Sequence, residues 1–594
     1  MIRVAGFAAV HLALIGVFAA AAWGAGRTLT ARRLAFASRV ESAAMSTVLG
    51  FGVLSTVFFV LAAVRLLKAP VVAAVLAAGC ALAWRERRRV LDGFRRIGAK
   101  ILAAIVLLPL VYFSLFPPLD PDTTMYHLPA ARAFARSGAM PALPDLRYPV
   151  FPQLAELLDA AGMLLGGDVL TPLTSLLFCL LVAALLVAWG RRLGDLRAGA
   201  WSAALWLGSP FVLLLARSGL VEPATAVFTT AALVAMQASV DGGGAAWLAA
   251  AGALAGWAAG TKYTGLYFVA ALLLAALALS PHGARVRGAA AFALGALAAG
   301  GPWYVRNLLL SGNPVWPFLG TIFGYRFWEP IDVASVTWTL RHEGGPQTFR
   351  ALLALPWNLA TGRQPGVRSL VPGLFALFPI GVVWGLASRS RRWLVLVTIG
   401  FIVFWFATTQ QIRFLIPAVP AICLLTACGF SVLSERLLPL RRSAATAALT
   451  ATAVVLGVAL VPRELAGKIV RRDLPPVDEA SRATYFSSRL PSYPLYRRLN
   501  AEHGGRYTIY AFHDETMKYF CEGRHLGDWF GLASYGRMNL SSGSALLRSL
   551  QQLGADHLLV NDSYFPTRLP QDDVFAAHFE EIFRSGAIRA FRVR

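Results

Sequence analysis

Long apolar runs recur through most of this 594-residue chain, and they constrain its fold more than any other feature. Runs of about 17–25 apolar residues are long enough to cross a bilayer as helices. Hydrophobic residues make up 57% of the chain and charged residues only 14%, whereas a soluble domain holds about 25% charged residues. We therefore predict a polytopic membrane protein with about fourteen spans. The predicted spans are 4–23, 46–65, 70–84, 101–116, 169–190, 198–215, 223–239, 245–259, 263–280, 288–306, 371–387, 393–409, 414–433 and 443–461.

Lys and Arg gather in alternate loops, and this pattern predicts the orientation of the chain. The formal net charge is +24, but its concentration in short loops between spans is typical of the cytoplasmic side of a membrane. It therefore favours membrane lipids as the surroundings of the chain and argues against nucleic acid as a partner. The loops in between hold fewer Lys and Arg for their length and carry the unusual acids. These predicted outer loops are Asp120 to Arg147, Arg217 to Glu222, Ser311 to Ser369 and Gln410 to Arg413.

Composition divides the chain into two parts. We expect a transmembrane domain over 1–462, with a first outer loop at 117–152 and a long outer loop at 309–370, and an extracytoplasmic domain over 463–594. Strand-like and helix-like stretches alternate in the second part, which is typical of a small α/β domain. The expected fold is therefore mainly α, with helices in the outer interface and a small C-terminal α/β domain. The predicted strands are Tyr507–Phe512, His557–Asn561 and Ile588–Val593, with a helix at Ser544–Leu553.

The first outer loop carries a dense group of ionisable residues where a predicted span meets water. The run Asp120-Pro-Asp-Thr-Thr-Met-Tyr-His127 contains two carboxylates, a tyrosine and a histidine, and the loop ends in Arg147-Tyr148. Ionisable groups at the rim of a membrane are costly and tend to mark a functional site. If the protein is an enzyme, we expect its site here.

Each acid of this run has two interpretations. Asp122 is placed to act as a general base toward a substrate hydroxyl, or to cap the helix that begins near Met125. Asp120 either holds a divalent cation or ends the preceding span beside Pro121. Position alone leaves these alternatives open.

Three further outer residues are candidates for the site, and the first two of them also have two interpretations. Glu222 begins a predicted span, where the helix dipole favours an acid, but two acids from separate outer loops can also share a divalent cation. Lys262 lies between apolar segments, and its ammonium either binds phosphate or extends to the interface. Arg413 has the planar, bidentate geometry that phosphates favour.

The outer motifs, taken in chain order, resemble those of one family. The run Asp122-x-x-x-Tyr126 is followed by a helix and then by Arg147-Tyr148. The later motifs are Arg217-Ser-Gly-Leu-Val-Glu222-Pro, Gly260-Thr-Lys262-Tyr-Thr-Gly265, Gly301-Pro-Trp-Tyr-Val-Arg-Asn307 with Gly312-Asn-Pro314, and Arg413-Phe-Leu-Ile-Pro417. Together they resemble the GT-C glycosyltransferases, polytopic enzymes that use polyprenyl-phosphate sugars, such as the protein O-mannosyltransferases and the aminoarabinose transferase of lipid A. The resemblance covers roughly residues 100–435.

The resemblance implies a GT-C-like helical bundle and a function. The enzyme would be an inverting glycosyltransferase that moves a sugar from a polyprenyl-phosphate donor to a lipid, polysaccharide or protein acceptor, on the outer face of the bacterial cytoplasmic membrane. Asp122 would be the catalytic base, and Asp120 and Glu222 would hold a divalent cation such as Mg²⁺ or Mn²⁺. The substrate-binding residues would be Tyr126, His127, Arg147, Tyr148, Lys262 and Arg413.

Other functions compete with this one. A flippase or transporter of lipid-linked saccharides would need polar residues near the middle of several spans, whereas this chain concentrates its ionisable residues at one rim. A polysaccharide polymerase or ligase would share the long outer loop and the outer arginines. A non-catalytic assembly partner would keep the fold without needing Asp122 or Glu222.

Overall fold

Membrane-type helices occupy the N-terminal three quarters of the chain, as expected. The structure is a computed structural model that describes residues 2–86, 108–367, 370, 373–437 and 473–594. Within those ranges eight helices are long and apolar enough to cross a membrane, or nine if one pair bent by 64° is a single span. The helices are Ile2–Thr30, Arg39–Ala63, Ala69–Glu86, Leu128–Ser137, Leu154–Gly166, Leu170–Arg192, Leu196–Leu207, Pro210–Ser218, Glu222–Ala238, Gly244–Thr261, Gly265–Leu279, Arg285–Ser311, Gly320–Phe323, Pro330–His342, Phe349–Ala360, Leu374–Leu386, Arg389–Thr408, Ile412–Leu415 and Val419–Leu437.

The mainly helical, polytopic fold is confirmed, but the count of fourteen spans is not. Gly265–Leu279 and Leu374–Leu386 are apolar but shorter than the other candidate spans. The predicted span 443–461 and the first part of 101–116 lie outside the described residues. In addition, the predicted spans 223–239 and 245–259 fall within one apolar helical stretch, Glu222–Thr261.

Small residues allow the N-terminal helices to pack closely. A Cβ atom placed on Gly26 would lie 1.7 Å from the Ser46 carbonyl oxygen, and one on Gly50 would lie 1.6 Å from that of Ala22. Neither position therefore accepts a side chain unless the helices Ile2–Thr30 and Arg39–Ala63 separate. Close backbone approach through small residues is a general way to hold helices together in lipid.

One buried arginine on a membrane helix holds the first outer loop in place. Arg306, near the end of the helix Arg285–Ser311, donates to the carbonyl oxygens of Met140, Pro141 and Phe151 at 3.2, 3.2 and 3.3 Å. Because one guanidinium donates to three separate carbonyl oxygens, it fixes the course of the loop. The loop that carries the candidate residues is thus a positioned element of the fold.

The C-terminal domain is the small α/β domain that the sequence predicts. Its five strands lie in the order β2-β1-β3-β5-β4. β1 pairs in parallel with β2 and β3, whereas β5 is antiparallel to β3 and β4. The strands are β1 Thr508–Phe512, β2 Arg524–Leu526, β3 His557–Asn561, β4 Phe579–Ser585 and β5 Ile588–Val593. The helices are Glu479–Ser487, Tyr493–His503, Gly543–Leu553 and Asp573–His578.

The C-terminal domain docks on the first outer loop through buried cations. Arg132 donates to the carbonyl oxygens of Lys518, Tyr519 and Cys521 at 3.2, 2.6 and 2.8 Å. Its planar guanidinium satisfies three main-chain acceptors of the domain at once. This contact brings the turn Glu515–Phe520 close to the π-helical turn Thr123–His127 of the first outer loop.

A second docking contact centres on Asp528. Its carboxylate accepts from Arg147 Nε at 2.9 Å and from Lys518 Nζ at 3.1 Å. Burial alone would raise the pKa of Asp528, but the two cations hold that pKa below its usual range. All three side chains are largely buried.

Replacing Asp528 by Asn is expected to loosen the domain. The change leaves two buried cations without their carboxylate, and breaking a buried ion pair typically costs about 3–5 kcal/mol. We expect a lower midpoint of thermal unfolding in detergent and faster trypsin cleavage after residue 473. Glu580→Gln, which removes a partly exposed pair with Arg594, is the matched control and should change neither. Equal proteolysis of Asp528→Asn and wild type would show that this contact does not hold the domain.

Candidate active site

Asp122 lies at the centre of the candidate site. It directly precedes the π-helical turn Thr123–His127, yet its side chain makes no capping hydrogen bond. Instead, Oδ2 accepts from the hydroxyl of Tyr126 at 2.7 Å and pairs with the guanidinium of Arg413. The geometry therefore favours a role for the carboxylate across the site over the role of helix cap.

A second ion pair lies beside the first. Lys262 Nζ is 2.6 Å from Glu222 Oε1, and Glu222 is only 2% exposed. The ring of Phe414 lies between the two cations, with its centroid 3.9 Å from Lys262 Nζ and 4.9 Å from Arg413 Cζ. Four ionisable residues from three outer motifs and the first outer loop are thus gathered around one aromatic ring. This grouping is costly in an apolar surrounding unless the charges are used or paired.

The two aspartates of the first outer loop have opposite electrostatics. Burial alone would raise the pKa of Asp122, but the Arg413 guanidinium and the Tyr126 hydroxyl hold that pKa below its usual range. Burial raises the pKa of Asp120 to about 6, and the neighbouring Asp122 carboxylate adds to the rise. At neutral pH Asp122 is therefore firmly ionised, whereas Asp120 carries its charge at a cost.

Replacing Asp120 by Asn is expected to stabilise the protein at neutral pH. Because folding raises the pKa of Asp120, the folded state holds the proton of this carboxyl more tightly than the unfolded state does. Protonated Asp120 therefore stabilises the folded state at low pH, and this stabilisation is lost as the pH rises from about 4 through 6. Asp120→Asn should therefore raise the stability at pH 7.5 by about 1–3 kcal/mol and have little effect near pH 4. Thermal unfolding in detergent at both pH values tests this. Asp573→Asn, at an exposed helix start, removes the same charge and should show no such pH-dependent gain.

The aromatic residues of the first outer loop line the same region. The ring of Tyr148 contacts that of Tyr126 edge to face, with centroids 4.9 Å apart. Tyr148 also packs against Phe151 and Trp328, at 4.7 and 6.0 Å between centroids. Tyr126 and Tyr148 are thus next to the ion pairs, where the sequence predicts them to bind substrate.

Two predicted substrate-binding residues have other partners in this structure. His127 Nδ1 lies 2.7 Å from Glu156 Oε1, and both side chains are buried. The guanidinium of Arg147 faces the C-terminal domain, where it pairs with Asp528 and Glu515. Arg147 and Tyr148 are adjacent in sequence, but Arg147 contacts the C-terminal domain whereas Tyr148 contacts Tyr126.

Sequence reasoning missed the residues of the long outer loop that lie near Gln410 and Arg413. Burial raises the pKa of the Glu343 carboxyl. The charge of Arg413 lowers this pKa, and the charge of Asp122 raises it. Gly344 has no room for a side chain, since its Cβ would lie 2.1 Å from that of Gln410. Gln364 Nε2 donates to the Gly344 carbonyl at 3.1 Å. The Gly-Gly pair at 344 and 345 is the sequence signal that could have located this close approach.

The predicted metal site does not appear as a ligand set. In the ranges that the structure describes, no group of three or more His, Cys, Asp or Glu side chains is placed to hold a metal ion. Glu222 Oε1 is engaged by Lys262, so a cation shared with Asp120 would lie against an ammonium group. The other oxygen, Oε2, is buried and has no hydrogen-bond partner within the described part of the chain. A single carboxylate oxygen beside an ammonium suits a substrate hydroxyl better than a divalent cation.

Comparisons of sequence relate two parts of the chain to known families. Residues 152–303 match the model of the dolichyl-phosphate-mannose-protein mannosyltransferase family, and residues 481–592 match that of the SF2091/S2213 family. A Shigella flexneri protein, SF2092/S2214, is 29% identical over 131 residues, which are 22% of this chain and 64% of that protein. Another, SF2093/S2215, is 51% identical over 53 residues, or 9% of this chain and 27% of that protein. The chain thus spans less than two thirds of the length of either relative.

Comparisons of structure give two long matches at low identity. ArnT from Cupriavidus metallidurans, solved bound to undecaprenyl phosphate, aligns with a TM-score of 0.52 and 16% identity, over 83% of this chain and 98% of that one. The oligosaccharyltransferase of Archaeoglobus fulgidus, solved in complex with Zn and sulfate, aligns with a TM-score of 0.50 and 13% identity, over 77% and 67%. At these identities the likeness is one of fold.

Proposed function

We propose that this chain, a membrane glycosyltransferase of the GT-C superfamily, transfers a sugar from a polyprenyl-phosphate donor to a cell-envelope acceptor. The outer motifs predict this superfamily. The family model that matches residues 152–303, together with the shared fold, confirms the prediction. In the proposed orientation the site and the C-terminal domain face the outside of the bacterial cytoplasmic membrane, as the distribution of Lys and Arg predicts.

One observation carries the proposal. Two ion pairs, Asp122 with Arg413 and Glu222 with Lys262, meet around Phe414 at the outer ends of helices. A donor phosphate entering here would find two cations, one of them with the planar geometry that phosphate favours. The ammonium and guanidinium would then stabilise the negative charge that develops on the leaving phosphate.

The reaction proposed for this geometry is a single displacement. The acceptor hydroxyl oxygen attacks the anomeric carbon from the face opposite to the phosphate and forms the new glycosidic bond. The bond between the anomeric carbon and the phosphate oxygen breaks, and its electron pair leaves on the polyprenyl phosphate. The proton of the hydroxyl passes to the carboxylate of Asp122, which is ionised at neutral pH. The configuration at the anomeric carbon is inverted.

The neighbours of Asp122 have supporting roles in this proposal. The Tyr126 hydroxyl holds one carboxylate oxygen and so fixes the orientation of the other. Glu222 Oε2, which has no partner among the described residues, would accept a hydroxyl of the substrate. No step is routed through a metal ion, because the carboxylates of the described residues do not form a ligand set for one.

A transfer assay with defined donors tests the function. Purified protein in detergent is given a panel of polyprenyl-phosphate sugars with labelled sugar, together with an envelope extract as acceptor. We expect label to move to the acceptor from at least one donor, with one polyprenyl phosphate released per sugar moved. Translocation of a lipid-linked saccharide across vesicles without any transfer would overturn the proposal in favour of a flippase. Joining of preassembled oligosaccharides alone would favour a polymerase or ligase.

A further inference from the structure

The topology of the C-terminal domain is of the kind that leaves a crevice at the carboxyl ends of its parallel strands. β1 lies between β2 and β3, and all three strands run in parallel. The chain leaves β1 toward β2 on one side and returns to β3 on the other side. Where strand order reverses in this way, the loops after the carboxyl ends diverge and leave a space that commonly binds a ligand.

Four rings fill the rim of this crevice. His513 follows β1, Trp529 and Tyr535 follow β2, and Phe565 follows β3. The ring centroid of His513 lies 5.2 Å from that of Trp529, 4.8 Å from that of Tyr535 and 5.5 Å from that of Phe565. We refer to these four residues as the aromatic cluster. Trp529 is 45% and Phe565 55% exposed, so the cluster presents aromatic surface to a ligand from outside.

The aromatic cluster is held rigidly. The Tyr535 hydroxyl accepts from the main-chain N–H of His513 at 3.0 Å and donates to Glu515 Oε2 at 2.7 Å. His513 has a φ of +58°, a left-handed conformation that is costly for a residue with a side chain. Such strain persists where the surrounding structure imposes it, and it is concentrated at functional sites.

Two nitrogens of the cluster lack partners. His513 Nδ1 is buried and makes no hydrogen bond in the described part of the chain. The indole N–H of Trp529, on a half-exposed ring, likewise donates to none of the described residues. A buried polar atom without a partner costs about 1–3 kcal/mol, so a ligand that supplies hydrogen-bonding groups here would be favoured.

We propose that the aromatic cluster binds a saccharide ring of the acceptor glycan. The apolar C–H face of a pyranose stacks on exposed aromatic rings, whose faces carry partial negative charge. Its hydroxyls would accept from the Trp529 indole N–H and engage His513 Nδ1. A lipid chain would bury the same rings but leave both nitrogens unsatisfied. The inference rests on the proposed function, because it identifies the ligand as the acceptor of that reaction.

A row of rings connects the aromatic cluster with the candidate base. Phe530, the neighbour of Trp529, packs on Trp328 with centroids 5.4 Å apart, and Trp328 lies 6.0 Å from Tyr148. Tyr148 contacts Tyr126, whose hydroxyl donates to the Asp122 carboxylate. Trp328 is only 3% exposed, so these packed rings fix the position of the cluster relative to Asp122.

Binding of glycans to the full-length protein in detergent tests this inference. The probes are lipid-free core oligosaccharide and O-polysaccharide fragments released by mild acid from bacterial lipopolysaccharide, observed by saturation-transfer NMR. We expect wild type to bind at least one probe and Trp529→Ala to raise its dissociation constant about tenfold. Phe565→Ala should weaken binding in the same way. Trp338→Ala removes a Trp that is 63% exposed on the long outer loop, and it is the matched control with unchanged binding.

The outcomes separate this inference from the proposed function, because binding is measured without transfer. Absence of binding by wild type, or equal binding by Trp529→Ala, overturns the inference even if sugar transfer is found. Binding that depends on Trp529, in a protein that processes no donor, supports the inference and removes the proposed reaction. If brominated phospholipids in nanodiscs quench Trp529 and no probe binds, the cluster contacts lipid instead. Thermal unfolding at the wild-type midpoint excludes misfolding of the variants, and Trp529→Phe, which keeps a ring but lacks the indole N–H, should restore only part of the binding.

Discussion

Asp122→Asn is expected to lower the turnover number for sugar transfer by about 10²–10⁴-fold, the usual contribution of a general base. Asn has nearly the size of Asp and can still accept from Tyr126, but it cannot take the proton of the acceptor hydroxyl. Arg413 loses its carboxylate partner, so the affinity for polyprenyl phosphate should be equal to that of wild type or higher. Transfer of labelled sugar and binding of the lipid phosphate, measured on the same preparation, test both parts.

A milder variant separates the charge of Asp122 from its orientation. Tyr126→Phe removes the 2.7 Å hydrogen bond to Oδ2 but keeps the carboxylate and its pairing with Arg413. We expect turnover to fall by about 10–100-fold, since a hydrogen bond to a charged group is worth about 1.5–3 kcal/mol. Wild-type turnover in Asp122→Asn would exclude the base, and a larger loss in Tyr126→Phe than in Asp122→Asn would move the catalytic role to the hydroxyl.

Lys262→Met is expected to destabilise the protein by about 3–5 kcal/mol, because it leaves Glu222 buried without its cation. Glu222 is 2% exposed, and its Oε1 lies 2.6 Å from Lys262 Nζ. Thermal unfolding in detergent measures the loss. The double variant Lys262→Met with Glu222→Gln has no unpaired charge and should recover most of the stability.

The double variant then isolates the role of Lys262 in binding. If Lys262 contacts the donor phosphate, the double variant should have a KM for the donor at least about tenfold above that of the single variant Glu222→Gln, which shares its change at Glu222, since a charged hydrogen bond is worth about 1.5–3 kcal/mol. An equal KM in these two variants would show that Lys262 serves only to neutralise Glu222.

The parts of the site that could be predicted are those marked by local chemistry. Asp122, Tyr126, Lys262 and Arg413 stand out because charged or polar side chains are rare beside apolar spans. The loops that carry them follow from the alternation of Lys and Arg. Their pairing could not be predicted, because nothing local indicates that Arg413 crosses to Asp122, which lies 291 positions earlier.

Tertiary partners explain most of what the sequence did not reveal. Arg147 was assigned to substrate by its place beside Tyr148, but the docked domain supplies Asp528 as its partner. Phe414 resembles any apolar residue at the start of a span, and its position between two cations depends on three separate segments. Glu156 is buried against His127, and nothing in the sequence around either residue indicates this pairing.

The same limit applies to the strands of the C-terminal domain. β1, β3 and β5 were predicted because they are apolar runs bounded by polar residues, and β3 is buried throughout. β2 has only three residues, and β4 is an edge strand with charged side chains directed outward. Charged residues are common on edge strands because they prevent pairing with other chains, and they remove the apolar pattern on which prediction depends.

The docking contact made by Arg132 has a consequence for how such proteins diversify. Its guanidinium binds the main-chain oxygens of residues 518, 519 and 521, not their side chains. Substitutions at these positions leave the contact intact as long as the backbone keeps its course. The Arg132 contact therefore tolerates tails of different sequence at these three positions, whereas the pairing of Arg147 with Asp528 restricts docking to tails that keep a carboxylate there.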